Sequence, residues 1–174
     1  FSAQALLEAS DGLEYDAIAF TSSLENHPQV VEELGRERHL LGNPPRVLRE
    51  VRDWSKLRAV CEEEEIPYPT TLLPGEEIAA DPGISWLRKP VRSGGGHDIG
   101  LWSGQPLDED HVLQEHLEGR PASAAFVADG SRSVLLAVTE QLIGREALGA
   151  RGYTWCGNIL PFGCRSSERT NEIL

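Results

Sequence analysis

The sequence predicts a chain of mixed class: part of a parallel α/β layer up to about residue 45, then an α+β body whose strands are mostly antiparallel. Three observations carry this. Before Asn43-Pro44-Pro45, short helical stretches alternate with short apolar runs, the order that builds parallel layers. From Thr70 onward the helical period gives way to strand-like runs. Finally, Asp129-Gly130-Ser131 stands between two long runs, Ala122 to Ala128 and Ser133 to Ile143, as the turn of a hairpin.

Residues 2–9 predict a helix closed by Ser10-Asp11-Gly12, and Asp16 to Phe20 a buried strand. After a polar loop from Thr21, Pro28 to Gly35 predicts a helix with Pro at its start, Val30, Val31 and Leu34 on one side, and Gly at its end. His39-Leu40-Leu41-Gly42 predicts a second strand. These pieces are too short for a complete domain, and the division falls near residues 44–53. Arg46 to Val51 predicts one helix, and Asp53 caps another from Trp54 to about Glu65, with Trp54, Leu57, Val60 and Cys61 on one face. Glu62 to Glu65 form a solvated last turn, ended by Ile66-Pro67-Tyr68-Pro69. Ile84 to Pro90, Ile99 to Trp102 and His111 to His116 predict strands.

Composition narrows the function. With 174 residues and 40% apolar content the chain buries a real core. A formal charge of −12 opposes non-specific binding to nucleic acid or an anionic membrane, but not binding of a nucleotide, which local cations and backbone amides can hold. No run approaches the roughly 18 apolar residues of a membrane helix. Phe1-Ser2-Ala3-Gln4 opens no signal peptide, and with no Met anywhere the start reads as a truncation. Cys61, Cys156 and Cys164 form no CxxC, so no zinc site is expected, and a sparse, odd count suits a reducing cytoplasm. Cys61 reads as core.

The sharpest local feature runs from Leu87 to Gly100. Arg88-Lys89-Pro90 ends a strand, Ser93-Gly94-Gly95-Gly96 follows, and a second strand returns. Consecutive glycines let backbone N–H groups approach a phosphate without Cβ clashes, Ser93 adds a hydroxyl, and Lys89 a point charge. Taken alone, a flexible hairpin loop explains the segment equally well. No Gly-Lys-Ser/Thr and no following helix make it a Walker loop, and Ile99 occupies the place of a third dinucleotide-motif glycine. His97 lies in the same loop and could contact phosphate. A second feature, Val112-Leu113-Gln114-Glu115-His116-Leu117-Glu118-Gly119, is an apolar strand with an acidic end, able to offer acceptors and a backbone N–H to an adenine. A third, Tyr153 to Pro161, reads as a tight, shaped loop around Gly157. His27 follows a predicted strand at the end where α/β sheets take ligands, though a loop histidine held by hydrogen bonds is the favoured reading.

In their order along the chain, Lys56, Pro67-Tyr68-Pro69, Arg88-Lys89-Pro90, Ser93 to Gly96, Gln114 to Gly119, Gln141 and Tyr153 to Pro161 resemble the ATP-grasp superfamily, most of all its carboxylate–amine ligases and carboligases related to biotin carboxylase. The resemblance covers nearly the whole chain. It implies an ATP-grasp fold of two α+β lobes over residues 46–174, preceded over residues 1–45 by the end of a parallel α/β pre-ATP-grasp domain. By the same resemblance Lys56 and Lys89 would contact phosphates, Lys89 also lying near the adenine. Ser93, Gly94, Gly95 and Gly96 would form the phosphate lid. Gln114 or Glu115 would accept from the adenine amine, and Leu117 would offer its backbone. Where many relatives carry a ribose-binding acid the sequence has Pro121, and Glu118 would stand in. His27, Tyr153 and Gly157 are the candidate substrate contacts.

The implied activity is ATP-dependent ligation through an acyl phosphate, with ATP and Mg2+ as cofactors and a small carboxylate and an amine as substrates. Neither nucleic acid nor membrane is a partner, and homo-oligomerisation stays open. The alternatives are a biotin-carboxylase-like carboxylase and a nucleotide-binding regulatory or degenerate module without catalysis. The family's magnesium-binding carboxylates normally follow Pro161, and Glu172 alone does not supply them, so no metal ligand is expected within the chain and a C-terminal truncation is read here too. The chain alone would then bind ATP weakly without turnover.

Overall fold

The computed structural model describes residues 2–21, 23–78 and 83–162, so Cys164 and Glu172 lie outside the described residues. The chain forms two compact units, the first of residues 1–94 and 101–115, the second of residues 95–100 and 116–174.

The first unit opens with helix α1 (Ala3–Ser10), capped by the Ser2 hydroxyl, which accepts from the Ala5 N–H at 3.1 Å. Strands β1 (Ala17–Ile18) and β2 (His39–Leu40) run parallel, with Ala17 opposite His39, and α2 (Pro28–Leu34) crosses between them. Pro28 occupies the first turn, where a missing N–H leaves no bond unmade. The apolar side of α2 is the core: Val30, Val31 and Leu34 are buried with Leu24 and Leu48, and Leu6, Leu7, Ile18 and Leu40 pack around them. This is the expected parallel α/β layer.

Helices α3 (Pro45–Val51) and α4 (Trp54–Glu63) follow, and Asp53 caps α4, its Oδ1 accepting from the N–H groups of Ser55 at 2.9 Å and Lys56 at 3.2 Å. The expected apolar face of α4 needs correction. Cys61 is buried, but Leu57 and Val60 are 44% and 51% exposed. Arg58 takes the inward position instead, at helical spacing between Trp54 and Cys61. Its guanidinium grips both oxygens of Glu76, at 3.0 and 2.8 Å, which neutralises a charge that periodicity alone would have sent to solvent. Glu62 to Glu65 are all exposed, as a solvated turn should be.

A four-stranded sheet completes the unit in the order β3 (Thr71–Leu72), β6 (His111–Glu115), β4 (Trp86–Pro90), β5 (Gly100–Leu101), with β6 antiparallel to both β3 and β4. Trp86, Leu87, Val112 and Leu113 form its buried centre.

The second unit is built on an antiparallel sheet, β7 (Ala122–Ala128), β8 (Ser133–Ile143) and β9 (Trp155–Ile159), in that order. The hairpin turn is where the sequence placed it. Asp129 Oδ1 accepts from the N–H groups of Ser131 and Arg132 and from the Ser131 hydroxyl. The segment read as a tight loop around Gly157 is a strand instead. β8 outruns β7, and its last residues, Glu140 to Ile143, pair with Trp155 to Ile159 on the other edge.

Candidate functional site

Alternation along β4 decides which cation is available. Leu87 and Lys89 project from one face of the sheet; Arg88 projects from the other. The register sets Leu87 opposite Gln114, and Thr71 opposite Gln114 on its far side. Lys89, Gln114 and Thr71 therefore share a face and bond in series. Lys89 Nζ donates to Gln114 Oε1 at 2.5 Å, Gln114 Nε2 donates to Thr71 Oγ1 at 3.0 Å, and Thr71 donates to the Pro69 carbonyl at 2.8 Å. Gln114 is 7% exposed, so both ends of its amide are spent inside the protein. Burial pushes the Lys89 ammonium below its ordinary pKa, and no carboxylate pairs with it among the described residues. Arg88 is already neutralised: its Nη2 meets Asp108 Oδ2 at 2.6 Å, and His111 Nδ1 lies 2.6 Å from Asp108 Oδ1. The His111 hydrogen bond, then Arg88, holds the Asp108 carboxyl below the usual carboxylate range.

β4 leads into the glycine loop. In the first unit, the Ser93 carbonyl accepts from Arg52 Nη2 at 2.6 Å, and Gly94 lies beside the Glu25 carboxylate, whose Oε1 would be 3.7 Å from a Cβ placed on that glycine. In the second unit, Gly95 and Gly96 adopt φ of 63° and 73°, and the Gly95 carbonyl accepts from the Trp155 N–H at 2.8 Å. A Cβ on Gly96 would sit 1.9 Å from the Tyr153 carbonyl oxygen, so only glycine fits. The N–H groups of Gly94, Gly95 and Gly96 meet no acceptor among the described residues. Those of Gly95 and Gly96, both in the second unit, are neighbouring donors suited to an anion.

The remaining sequence candidates fall in different settings. Lys56 stands on the exposed side of α4, ion-paired with Glu50, and does not line the cavity to which its neighbours Trp54 and Ser55 contribute. Glu115 Oε2 accepts from the N–H and the hydroxyl of Thr70 at 3.2 and 2.9 Å. Beyond it Leu117 and Glu118 are exposed, and the Leu117 N–H has no acceptor among the described residues. His27 acts through its backbone, closing the 3₁₀ turn Leu24–Asn26 and opening α2. The Tyr153 ring packs edge-on to His116 at 6.0 Å. Gly157 lies within β9 opposite Leu142. Among the described residues no three His, Cys, Asp or Glu side chains gather to hold a metal ion, and no helix is long and apolar enough to cross a membrane.

A cavity of about 600 Å³ opens in the first unit, lined by the 3₁₀ turn, the α3–α4 junction and the chain just beyond β4. Arg52 reaches into this region, its Nη2 donating to Asn26 Oδ1 at 2.6 Å as well as to Ser93. Glu25, Asn26 and Arg52 carried no signal of a site in the sequence. Glu25 and Asn26 are adjacent, but Arg52 lies 26 residues further on, and only the tertiary fold brings it to them.

The family model of the ATP-grasp domain matches residues 52–174. The chain belongs to the ATP-grasp family. Its fold is similar to an ATP-grasp superfamily protein from Archaeoglobus fulgidus, at TM-score 0.63 and 17% identity, covering 98% of this chain and 50% of that one. D-alanine–D-alanine ligase from Bacillus anthracis matches at TM-score 0.57 and 15% identity over 97% of this chain and 62% of that one. Rhizobium etli pyruvate carboxylase matches at TM-score 0.62 and 16% identity over 80% of this chain and 14% of that one. The chain thus spans half the length of the Archaeoglobus protein. No curated protein matches the sequence. ATP-grasp proteins are typically ATP-dependent carboxylate–amine ligases that use ATP with Mg2+. Here β4, the glycine loop and β6 all lie within the matched ATP-grasp region, and the parallel layer precedes it.

Proposed function

We propose that this chain is the nucleotide-binding part of an ATP-dependent ligase that activates a small carboxylate as an acyl phosphate for attack by an amine. The observation that carries the reading is Lys89, an ammonium held on a buried neutral amide at the mouth of a glycine loop, without a carboxylate partner among the described residues. A half-buried cation of depressed pKa gains most from an arriving anion, because the anion restores what desolvation removed. The unpaired N–H group of Gly94, in the same unit, adds a donor of the kind that holds phosphate oxygens. Such a donor set fits a polyphosphate.

In this reading the γ-phosphoryl group passes to a carboxylate oxygen and ADP leaves; the amine nitrogen then attacks the acyl carbon, inorganic phosphate departs and the nitrogen loses a proton. Lys89 and the loop lower the cost of charge on the moving phosphoryl group. Magnesium is the metal that chemistry calls for. The described residues bring no cluster together for it, so no step is assigned to it. Gln114 spends its amide on Lys89 and Thr71, which leaves Glu115 and the backbone around Leu117 to meet the adenine, with Glu118 toward the ribose. Residues 1–45 are the end of the preceding α/β domain and 46–174 the ATP-grasp region. The free Cys61 and Cys156 suit a cytoplasmic setting.

Calorimetric titration of ATP with magnesium into wild type and Lys89→Met tests this. The methionine keeps most of the stem and deletes the charge. A charge-assisted hydrogen bond of roughly 1.5–3 kcal/mol corresponds to about a 10- to 150-fold weaker affinity. Equal dissociation constants would remove Lys89 from the site and the reading with it.

A further inference from the structure

Among the described residues the buried polar ones are Thr71 and Gln114, 5% and 7% exposed, and they are bonded to each other. Their neighbours in the four-stranded sheet, Leu87, Val112 and Leu113, are buried and apolar. Polar groups in such a place cost free energy unless they are matched. The sheet does not need this pair to hold β3 against β6. The backbone ladder already sets Thr71 on Gln114 and Leu72 on Leu113, and Glu115 Oε2 binds the N–H and the hydroxyl of Thr70.

The directions of the bonds show what the pair does. The Pro69 carbonyl can only accept, so the Thr71 hydroxyl donates to it and offers its own lone pairs to Gln114. The Gln114 group facing Thr71 must then be the NH2, which turns Oε1 toward Lys89. The Lys89 ammonium carries three donors and no acceptor, so it needs an oxygen there. A reversed amide would set N–H against N–H at the lysine and leave the NH2 of Gln114 without Thr71. We infer that Thr71 is a positioning residue of the nucleotide site: it locks the direction of the Gln114 amide, and through it holds the Lys89 ammonium charged and in place. A fixed amide oxygen supports the ammonium without neutralising it, which leaves the charge for an arriving anion. The other titratable side chains of β4 and β6, Arg88, His111 and Glu115, alternate to the opposite face, and β3 and β5 carry none. The inference rests on the ligase reading, in which Lys89 meets the phosphates, and adds to it a residue that acts only through Gln114.

The test is 13C-lysine NMR on the 174-residue chain as wild type, Thr71→Val and Thr71→Ser, with and without the analogue AMP-PNP and magnesium. Valine keeps the branched shape and suits a strand but deletes the hydroxyl. In Thr71→Val the Lys89 midpoint should fall by at least about half a pH unit, and AMP-PNP should bind at least about threefold more weakly, each being the loss of one hydrogen bond. Thr71→Ser, which keeps the hydroxyl, should restore both. A role in packing alone would move only the urea midpoint of Thr71→Val. A second measurement needs no variant: NOEs from the Gln114 Nε2 protons of the wild type should run to Thr71 and not to the Lys89 ε-methylene. If they run to Lys89, or if Thr71→Ser behaves as Thr71→Val does, the inference falls. If the wild type binds AMP-PNP and Thr71→Val leaves the midpoint or the affinity unchanged, the inference falls and the ligase reading stands. If the midpoint falls as expected and AMP-PNP does not bind the wild type, the lock on Lys89 stands and the ligase reading falls.

Discussion

Lys89 and Arg88 are neighbours in β4 with opposite fates. Strand alternation sends Arg88 to Asp108 and His111, while Lys89 rests on Gln114 and is left without a counter-ion among the described residues. Because burial lowers its pKa, the folded protein holds the Lys89 proton more weakly than the unfolded chain does. Its charge therefore costs stability at neutral pH. That cost is relieved as pH rises from the lowered midpoint to the ordinary value of 10.5. Lys56 and Lys89 are the only lysines in the sequence, so 13C-lysine NMR resolves the titration directly. The Lys89 midpoint should lie below the ordinary value, and ATP should raise it; a midpoint that ATP leaves untouched contradicts phosphate contact. Gly96 is the second single-residue test. A methyl group there meets the Tyr153 carbonyl at 1.9 Å, at a φ of 73° that L-residues rarely adopt. Gly96→Ala should cost about 1–3 kcal/mol in urea unfolding, whereas Gly100→Ala, with nothing within 4 Å of the added carbon, should cost less.

At the scale of elements, α4 depends on its cap. The Asp53 carboxyl is held below the usual carboxylate range, first by the Ser55 hydroxyl and then by the Lys56 N–H. A carboxyl lowered in this way contributes its stability in full above the unfolded value of about 3.9 and loses it as pH falls through the folded one. Asp53→Ala should cost about 1 kcal/mol at pH 7, Asp53→Asn less, and the gap to wild type should narrow in acid. Urea midpoints at both pH values check this. β6 carries the sheet, being bonded on both edges with Leu113 fully buried. Leu113→Ala should cost about 2–5 kcal/mol, with the spread set by how far the site collapses.

For the whole molecule, the net charge of −12 sets a self-repulsion that added salt screens. The thermal midpoint should therefore rise when KCl is taken from a few millimolar to about 0.3 M, where the Debye length is well under 10 Å; a fall would mean that ion pairs such as Arg58–Glu76 outweigh the net repulsion. The sequence by itself determined the class of the chain and most of its elements. Helix period placed α2 and its buried side, Pro28 and Asp53 marked where helices start, and Asp129-Gly130 fixed the β7–β8 turn, because these signals are local. The Lys-Pro strand and its glycine loop were legible for the same reason. Only the tertiary structure decided what depends on partners distant in the chain. It turned Arg58 inward because Glu76 was there to neutralise it, and it drew residues 155–159 into a strand because β8 had an open edge. It also engaged Gln114 between Lys89 and Thr71, and gathered Glu25, Asn26 and Arg52 at one cavity. A side chain's charge state and partners belong to its surroundings in space, and no spacing along the chain encodes them.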